Sequence, residues 1–363
     1  NSDLSEWNSV HMGPKRDILG ELKEASEKNG IIFSTSSLRA EHFWFLNGGA
    51  TVGYKNETQD EEYRELYGEC SNVYKRNDLF TMLKQEHGIE PSREWLEDWL
   101  VSSCDLIDRY QPASLFFDWW VSYRAFRPYM KKFLAYYYNR SAEWGKEVCV
   151  YYKSDAVMYN CAIFDRERGQ LEDISPYIWQ GETSTAYNSW SYCTTNHFKK
   201  PEIIACNLLD VISKNGCFVL NLGPKADGTF CLEEKYIISE IGKWTKKNEE
   251  AIWGTQPYKV FGEGKKQKGG SFTEHFSYTP NDYRFTCKTG AVYAFALKPK
   301  GKSEFRIKTL GDTMDTFHCV IKNISVLGSD VKVHYSQDKK CLAIKTDKKI
   351  TDSMPVCFKI EVD

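Results

Sequence analysis

Apolar positions recur at helical spacing through much of the first 255 residues and at every second position over roughly the last hundred, so the pattern alone divides the chain. Residues 16–29 place Ile18, Leu19, Leu22 and Ala25 at helical spacing and stop at Gly30, the residue type that ends helices in a left-handed turn. A strand, Ile31–Ser36, follows at once. Residues 60–110 read as mostly helical, with Leu96, Trp99, Leu100, Leu106 and Ile107 as core positions. The run 114–120, Ser-Leu-Phe-Phe-Asp-Trp-Trp, reads as a buried strand. A helix over about 124–139 leads to a strand at Val148–Tyr152, and a long polar loop reaches a strand end at Tyr177–Gln180. A helix near 201–214 feeds the strand 217–222, and a last helix over about 232–250 carries Tyr236, Ile237, Ile241 and Trp244 on one face.

Helices alternating with short apolar strands predict a parallel α/β architecture, a partial (β/α)8 TIM-like barrel with its site at the C-terminal strand ends. About five strands are legible where a closed barrel has eight. After Gly254-Thr255-Gln256-Pro257 the period falls to two, as in Val292–Leu297, with Gly, Asp and Lys turns between. The expected organisation is therefore a catalytic barrel over 1–255 and an all-β sandwich over 256–363. Lysine-rich stretches near 298–308 and 338–349 fit solvated turns and edge protection.

Composition narrows the function classes. Lys and Arg total 48 against 50 Asp and Glu, a formal charge of −2, so neither a nucleic-acid partner nor an anionic membrane is expected. No apolar run reaches the ~18 residues of a spanning helix. Twelve cysteines are scattered singly without a Cys-x-x-Cys pair, which argues against a zinc site or other metal centre. Cys149, Cys217 and Cys357 sit in apolar runs and read as buried free thiols, favouring a reducing, cytoplasmic compartment. Three sequons, at Asn56, Asn139 and Asn323, are compatible with chance. The first residue is Asn1 and no signal-peptide pattern follows.

The chemistry centres on Asp118 within Phe116-Phe117-Asp118-Trp119-Trp120. A carboxylate in an aromatic strand needs hydrogen bonds, a charge partner or a task. A strand-end Asp that caps the next loop is one reading. A catalytic carboxylate is the other, since aromatic walls suit sugar rings and shield developing charge. With a period of two, Phe116, Asp118 and Trp120 share one face of the strand. Glycoside chemistry needs a second carboxylate. The segment Asp165-Arg166-Glu167-Arg168-Gly169-Gln170-Leu171-Glu172-Asp173 offers four, although its spacing alone favours a solvated charged loop. No phosphate-binding or dinucleotide motif competes, so no cofactor is expected.

With these residues in view the chain resembles the retaining α-L-fucosidases, a family of glycoside hydrolases. The resemblance lies in Trp7–Val10, Ser36–His42, Phe116–Trp120, Glu167–Gln170, Trp179-Gln180, Ser189-Trp190 and Leu220–Gly228, and it continues through Ile241–Trp244 and Asn248–Thr255. It implies release of terminal L-fucose from a fucosylated oligosaccharide or glycoconjugate by double displacement. Asp118 would be the nucleophile and Glu167 the acid/base, with Glu182 as its rival. Trp179 and Trp120 would contact the sugar, Lys153 would supply a basic contact at its strand end, and Glu41 and His42 would line the rim. His42 reads equally as a structural histidine, and both arginines flanking Glu167 are expected to point away from the site. Relatives also carry His-Trp-Gly and His-His-Asp-Gly segments upstream of the Trp-Asn pair. Neither occurs here, and Leu38 stands where many relatives have histidine. The chain is thus expected to begin partway round the barrel, and a truncated, non-catalytic sugar-binding or interaction protein derived from the fold is the alternative function.

Overall fold

The computed structural model describes residues 1–43, 60–63, 69, 90–312 and 315–363. Part of the predicted helical stretch 60–110, together with Asn56 and Cys70, lies outside those residues. Two compact units form, Asn1–Asp165 and Arg166–Asp363.

In the first unit α1 (Ile18–Lys28) starts where the Asp17 carboxylate accepts the Gly20 amide at 3.1 Å, and Gly30 turns the chain at φ +68°. None of its residues is buried. The strand β1 is Thr35–Ser37, shorter and later than the predicted Ile31–Ser36, and Ile31 and Ile32 are exposed. Helix α2 (Arg93–Tyr110) is capped by Ser92, whose hydroxyl accepts the Trp95 amide. It buries Leu96, Trp99 and Ile107 as their spacing predicts. Strand β2 (Ser114–Phe117) points Leu115 and Phe117 into the helix layer. Helix α3 (Arg127–Trp144) begins with a proline in its first turn and ends at Gly145 in the left-handed region. Trp99, Phe117, Phe126 and Phe133 form the aromatic centre of this core, with ring centroids 5.0–6.3 Å apart. Strands β3 (Cys149–Tyr152) and β4 (Ile163–Glu167) follow, and β1-β2-β3-β4 pair in parallel in that order.

Strand β4 corrects the sequence reading, which placed a polar loop there. Its inward positions are Ile163, Asp165 and Glu167, so charge occupies the face where an apolar pattern would mark a strand. It also runs across the boundary between the units.

In the second unit β5 (Trp179–Ser184) and β6 (Gly216–Asn221) pair in parallel, with α4 (Pro201–Ser213) between them in sequence. Among the described residues the parallel strands therefore number six, β1 to β6, against the five or so legible in sequence. Cys217 and Val219 of β6 are exposed, so the Cys217 thiol is not buried as its apolar run suggests. Helix α5 (Leu232–Lys247) buries Ile237, Ile241 and Trp244 but leaves Tyr236 exposed.

Antiparallel structure begins at β7 (Gln256–Glu263), where the period changes in sequence. It continues through β8 (Tyr283–Lys288), β9 (Ala291–Ala296), β10 (Glu304–Ile307), β11 (Ile321–Val326), β12 (Val333–Gln337), β13 (Leu342–Thr346) and β14 (Val356–Val362). Two sheets result, ordered β10-β13-β12 and β11-β14-β9-β8-β7, with Phe285, Phe305, Ile344 and Phe358 among the side chains of their shared core. The fold is a partial parallel β/α barrel followed by a β-sandwich. A second core joins α4 and α5 to Tyr293, Phe295 and Leu297. Below it Asp210 of α4 pairs with Lys214 at 2.6 Å and with Arg284 of β8 at 2.5 Å, all three fully buried. This shared core explains why the compact units divide at Asp165/Arg166 although the chain pattern changes at Gln256. Among the described residues no helix is long and apolar enough to cross a membrane.

Candidate active site

Each unit holds one cluster of charged side chains near the C-terminal ends of its parallel strands. In the first unit the clustering starts where β2 stops. The Trp119 amide donates to the Asp118 carboxylate at 2.9 Å, and Trp120 adopts φ +80°. A bulky residue reaches that conformation only under constraint. The alternation predicted through residue 120 therefore ends at Phe117. Trp120 lies beyond the strand, is 3% exposed and packs against Tyr123 at 5.9 Å in the aromatic core. The half-buried neighbour is Trp119.

Lys153, the residue after β3, is 2% exposed. Its ammonium lies 2.8 Å from Asp165 and 3.7 Å from Asp118, and 5.3 Å from the ring centroids of both Phe116 and Trp119. A buried cation is tolerable only when paired, and here two carboxylates and two aromatic faces meet it. The Asp165 side chain is fully buried, whereas that of Asp118 is 23% exposed. Asp118 is thus the open member of the trio, and Asp165 fixes the lysine. Asp165 was one of four undistinguished acids in the sequence; the signal that could have found it is its two-residue spacing from Ile163 and Glu167.

Glu41 and His42 follow β1 on a short helical turn, Arg39–Glu41. His42 lines a cavity of about 320 Å³ with Trp7, Arg39, Asp98 and Asp105, and Asp118 is not among the lining residues. Among the described residues its Nδ1 is shielded from solvent without a hydrogen-bond partner, and burial, then the Arg39 charge, lowers the imidazole below its ordinary value.

In the second unit Glu167 ends β4. It is 8% exposed, and its carboxylate accepts the Trp190 indole N–H at 3.1 Å. Arg168, at φ +44°, was expected to turn away, yet it is buried and its guanidinium lies 4.3 Å from the Trp190 ring centroid. It donates to the carbonyls of Ala186, Tyr187 and Ser189 and to the Glu274 carboxylate. Glu274 also pairs with buried Lys199 at 2.7 Å and accepts the Thr183 hydroxyl. Burial is the largest influence on Lys199 and brings it down to about 8 against the pull of Glu274. Burial alone would raise Glu274, but Lys199, with hydrogen bonds from Thr183 and Arg168, holds it below the usual carboxylate value. No sequence spacing links Glu274 to Glu167; only the folded chain does. Glu182 lies on β5, half-buried, and its carbonyl accepts the Arg168 amide at 2.8 Å.

Trp179 is placed otherwise than expected. It opens β5 at the N-terminal end, is 1% exposed, and donates its indole N–H to the Lys214 carbonyl at 2.9 Å. A Cβ on Gly216 would meet its ring at 2.7 Å. With no free face and at the wrong end of its strand, it is a packing residue rather than a stacking platform.

A family model described as alpha-L-fucosidase matches residues 1–250. The tissue alpha-L-fucosidase of Rattus norvegicus is 23% identical over 353 residues, 92% of this chain and 61% of its own. That of Bos taurus is 25% identical over 317 residues, covering 80% and 53%. Among solved structures, an alpha-L-fucosidase superposes with a TM-score of 0.70 at 22% identity over 99% of this chain and 71% of its own. Thermotoga maritima alpha-fucosidase in complex with fucose gives 0.67 at 23% identity over 99% and 71%. At these identities the structural likeness shows the fold. The chain spans about three-fifths or less of those two curated relatives.

Proposed function

The chain belongs to the α-L-fucosidase family, and on that premise we propose that it hydrolyses terminal α-L-fucosides of oligosaccharides or glycoconjugates with retention. In this reading an Asp118 oxygen forms a bond to the anomeric carbon while the glycosidic C–O bond breaks. Glu167 gives its proton to the departing oxygen. Water then attacks the same carbon, Glu167 takes the water's proton, and the Asp118 carboxylate leaves. Such pairs work at a separation of about 5–5.5 Å.

The observation that carries the proposal is Lys153, buried between Asp165 and the partly open Asp118. A fixed cation beside Asp118 steadies the negative charge that returns to this carboxylate as it leaves in the second step, with no reorganisation needed at that moment. Glu167 is taken as the acid/base on its place in the family motif Glu167–Gln170, with Glu182 as its rival, and its carboxylate accepts the Trp190 indole N–H. Residues 1–255 are proposed as the catalytic region and 256–363 as the sandwich, with Glu41 and His42 at the pocket rim. The test is hydrolysis of an aryl α-L-fucoside followed by proton NMR. Appearance of α-L-fucose before the β anomer is expected; the β anomer first would rule out retention.

A further inference from the structure

We propose that Arg168, clamped by Glu274, is a positioning residue that sets Trp190 as the fixed hydrogen-bond donor to Glu167. This deepens the reading above and rests on it for its catalytic consequence.

Three carbonyls of one loop, those of Ala186, Tyr187 and Ser189, converge on a single guanidinium at 2.8–3.2 Å. That loop carries Trp190, whose ring lies over the same guanidinium and whose indole N–H reaches Glu167. The Trp190 carbonyl is held in turn by the Asn221 side chain at 2.6 Å. Arg168 is locked from the other side. Glu274 accepts from it at 3.0 Å, and the Glu274 amide donates to the Arg168 carbonyl at 3.1 Å. The neighbouring backbone is stitched as well: the Phe272 amide donates to the Glu167 carbonyl, and Gln170 bridges Gly270. Any Cβ on Gly169 would meet the Gly270 carbonyl oxygen at 1.8 Å, so the two segments require glycine there to lie so close.

A residue other than glycine at φ +44° is strained, and here the surrounding bonds impose it. Only arginine offers a planar fork of five donors, so one side chain can serve three carbonyls and a carboxylate while stacking on an indole. A proton donor displaced by about 1 Å can lose ~100-fold in rate. Fixing Trp190 therefore fixes the carboxylate of Glu167. The segment around 270–274, which precedes the antiparallel strand β8, thus takes part in holding the catalytic carboxylate.

The experiment uses the full chain with indole-15N tryptophan, the Trp190 signal being assigned by its loss in Trp190→Phe. In the wild type the Trp190 indole proton should exchange with solvent at least tenfold more slowly than in Glu167→Ala. In Arg168→Lys, which keeps the charge but not the fork, exchange should accelerate at least tenfold although Glu167 is intact. Exchange in Arg168→Lys within twofold of wild type would overturn the proposal, as would an unprotected wild-type indole. Should Arg168→Lys fail to fold, Trp190→Phe leaves the arginine network whole and removes only the donor. Its turnover should fall at least tenfold on alkyl fucosides and less than twofold on activated aryl fucosides; equal loss on both would overturn the proposal. A wild type with no fucosidase activity would sink the reading on which the catalytic consequence rests, while the exchange comparison still decides the positioning.

Discussion

Replacing Glu274 with Gln should destabilise the protein far more than replacing its partner Lys199 with Met. One anion serves two buried cations, Arg168 at 3.0 Å and Lys199 at 2.7 Å. Glu274→Gln leaves both charges buried among carbonyls without a counter-charge, and stranding even one such charge costs about 3–5 kcal/mol. Lys199→Met removes a charge whose burial already counts against it. Its fall from 10.5 to about 8 corresponds to a burden on the order of 3 kcal/mol for keeping the proton. Glu274 retains Arg168 in that variant, so the net loss should be roughly 0–2 kcal/mol. Urea unfolding at pH 7, followed by tryptophan fluorescence, measures both. The pH dependence supplies a second check. Because the folded-state value of Lys199 lies below the unfolded one, the unfolded chain holds more protons between about 8 and 10.5. Stability from this site should therefore rise across that window, and the advantage of Lys199→Met over Glu274→Gln should shrink there. Glu274 runs the other way, contributing above the ordinary carboxylate range and losing its contribution as acid protonates it. A Lys199→Met variant as unstable as Glu274→Gln would refute the argument that one carboxylate carries both cations.

Asp210→Asn should cost about 3–5 kcal/mol, seen as a lowered urea midpoint, because Lys214 and Arg284 share that carboxylate in a dry core. Asp118→Gly should abolish turnover of an aryl α-L-fucoside with the circular-dichroism spectrum unchanged, and added azide should restore part of it; near-normal turnover without azide would remove Asp118 from the mechanism. Glu167→Ala should slow poor leaving groups much more than activated aryl ones, since only the former need protonation. The same split in Glu182→Ala, with none in Glu167→Ala, would reverse the assignment.

What was legible in sequence was whatever the solvent-to-core gradient writes directly. The face Leu96, Trp99 and Ile107 of α2, the parity of Leu115 and Phe117, and the switch to alternation at β7 all follow from one side facing a core. Strand β4 escaped because charge, Asp165 and Glu167, stands at inward positions where an apolar alternation would mark a strand. Trp120 escaped because the chain turns at Asp118, and parity cannot be carried through a residue at φ +80°. Trp179 was misread because an aromatic residue beside a family motif looks the same whether it faces a ligand or, as here, a glycine and a carbonyl in the core. Asp118 and Lys153 were both singled out in sequence, but not the acid that pairs with Lys153, Asp165. Glu274 lies more than a hundred residues from Glu167 in sequence and reaches its network only through tertiary contacts with Arg168 and Lys199.

The central claim is that Asp118 forms a covalent bond to fucose. Incubation with a 2-deoxy-2-fluoro-α-L-fucosyl donor bearing an activated leaving group should trap the intermediate, because fluorine slows its breakdown. Peptide mass spectrometry should then find one deoxyfluorofucosyl group, on the peptide containing Phe116-Phe117-Asp118-Trp119-Trp120 and on Asp118 itself. A label on Glu167 or Glu182, or turnover of the natural fucoside with no label on Asp118, would contradict the account.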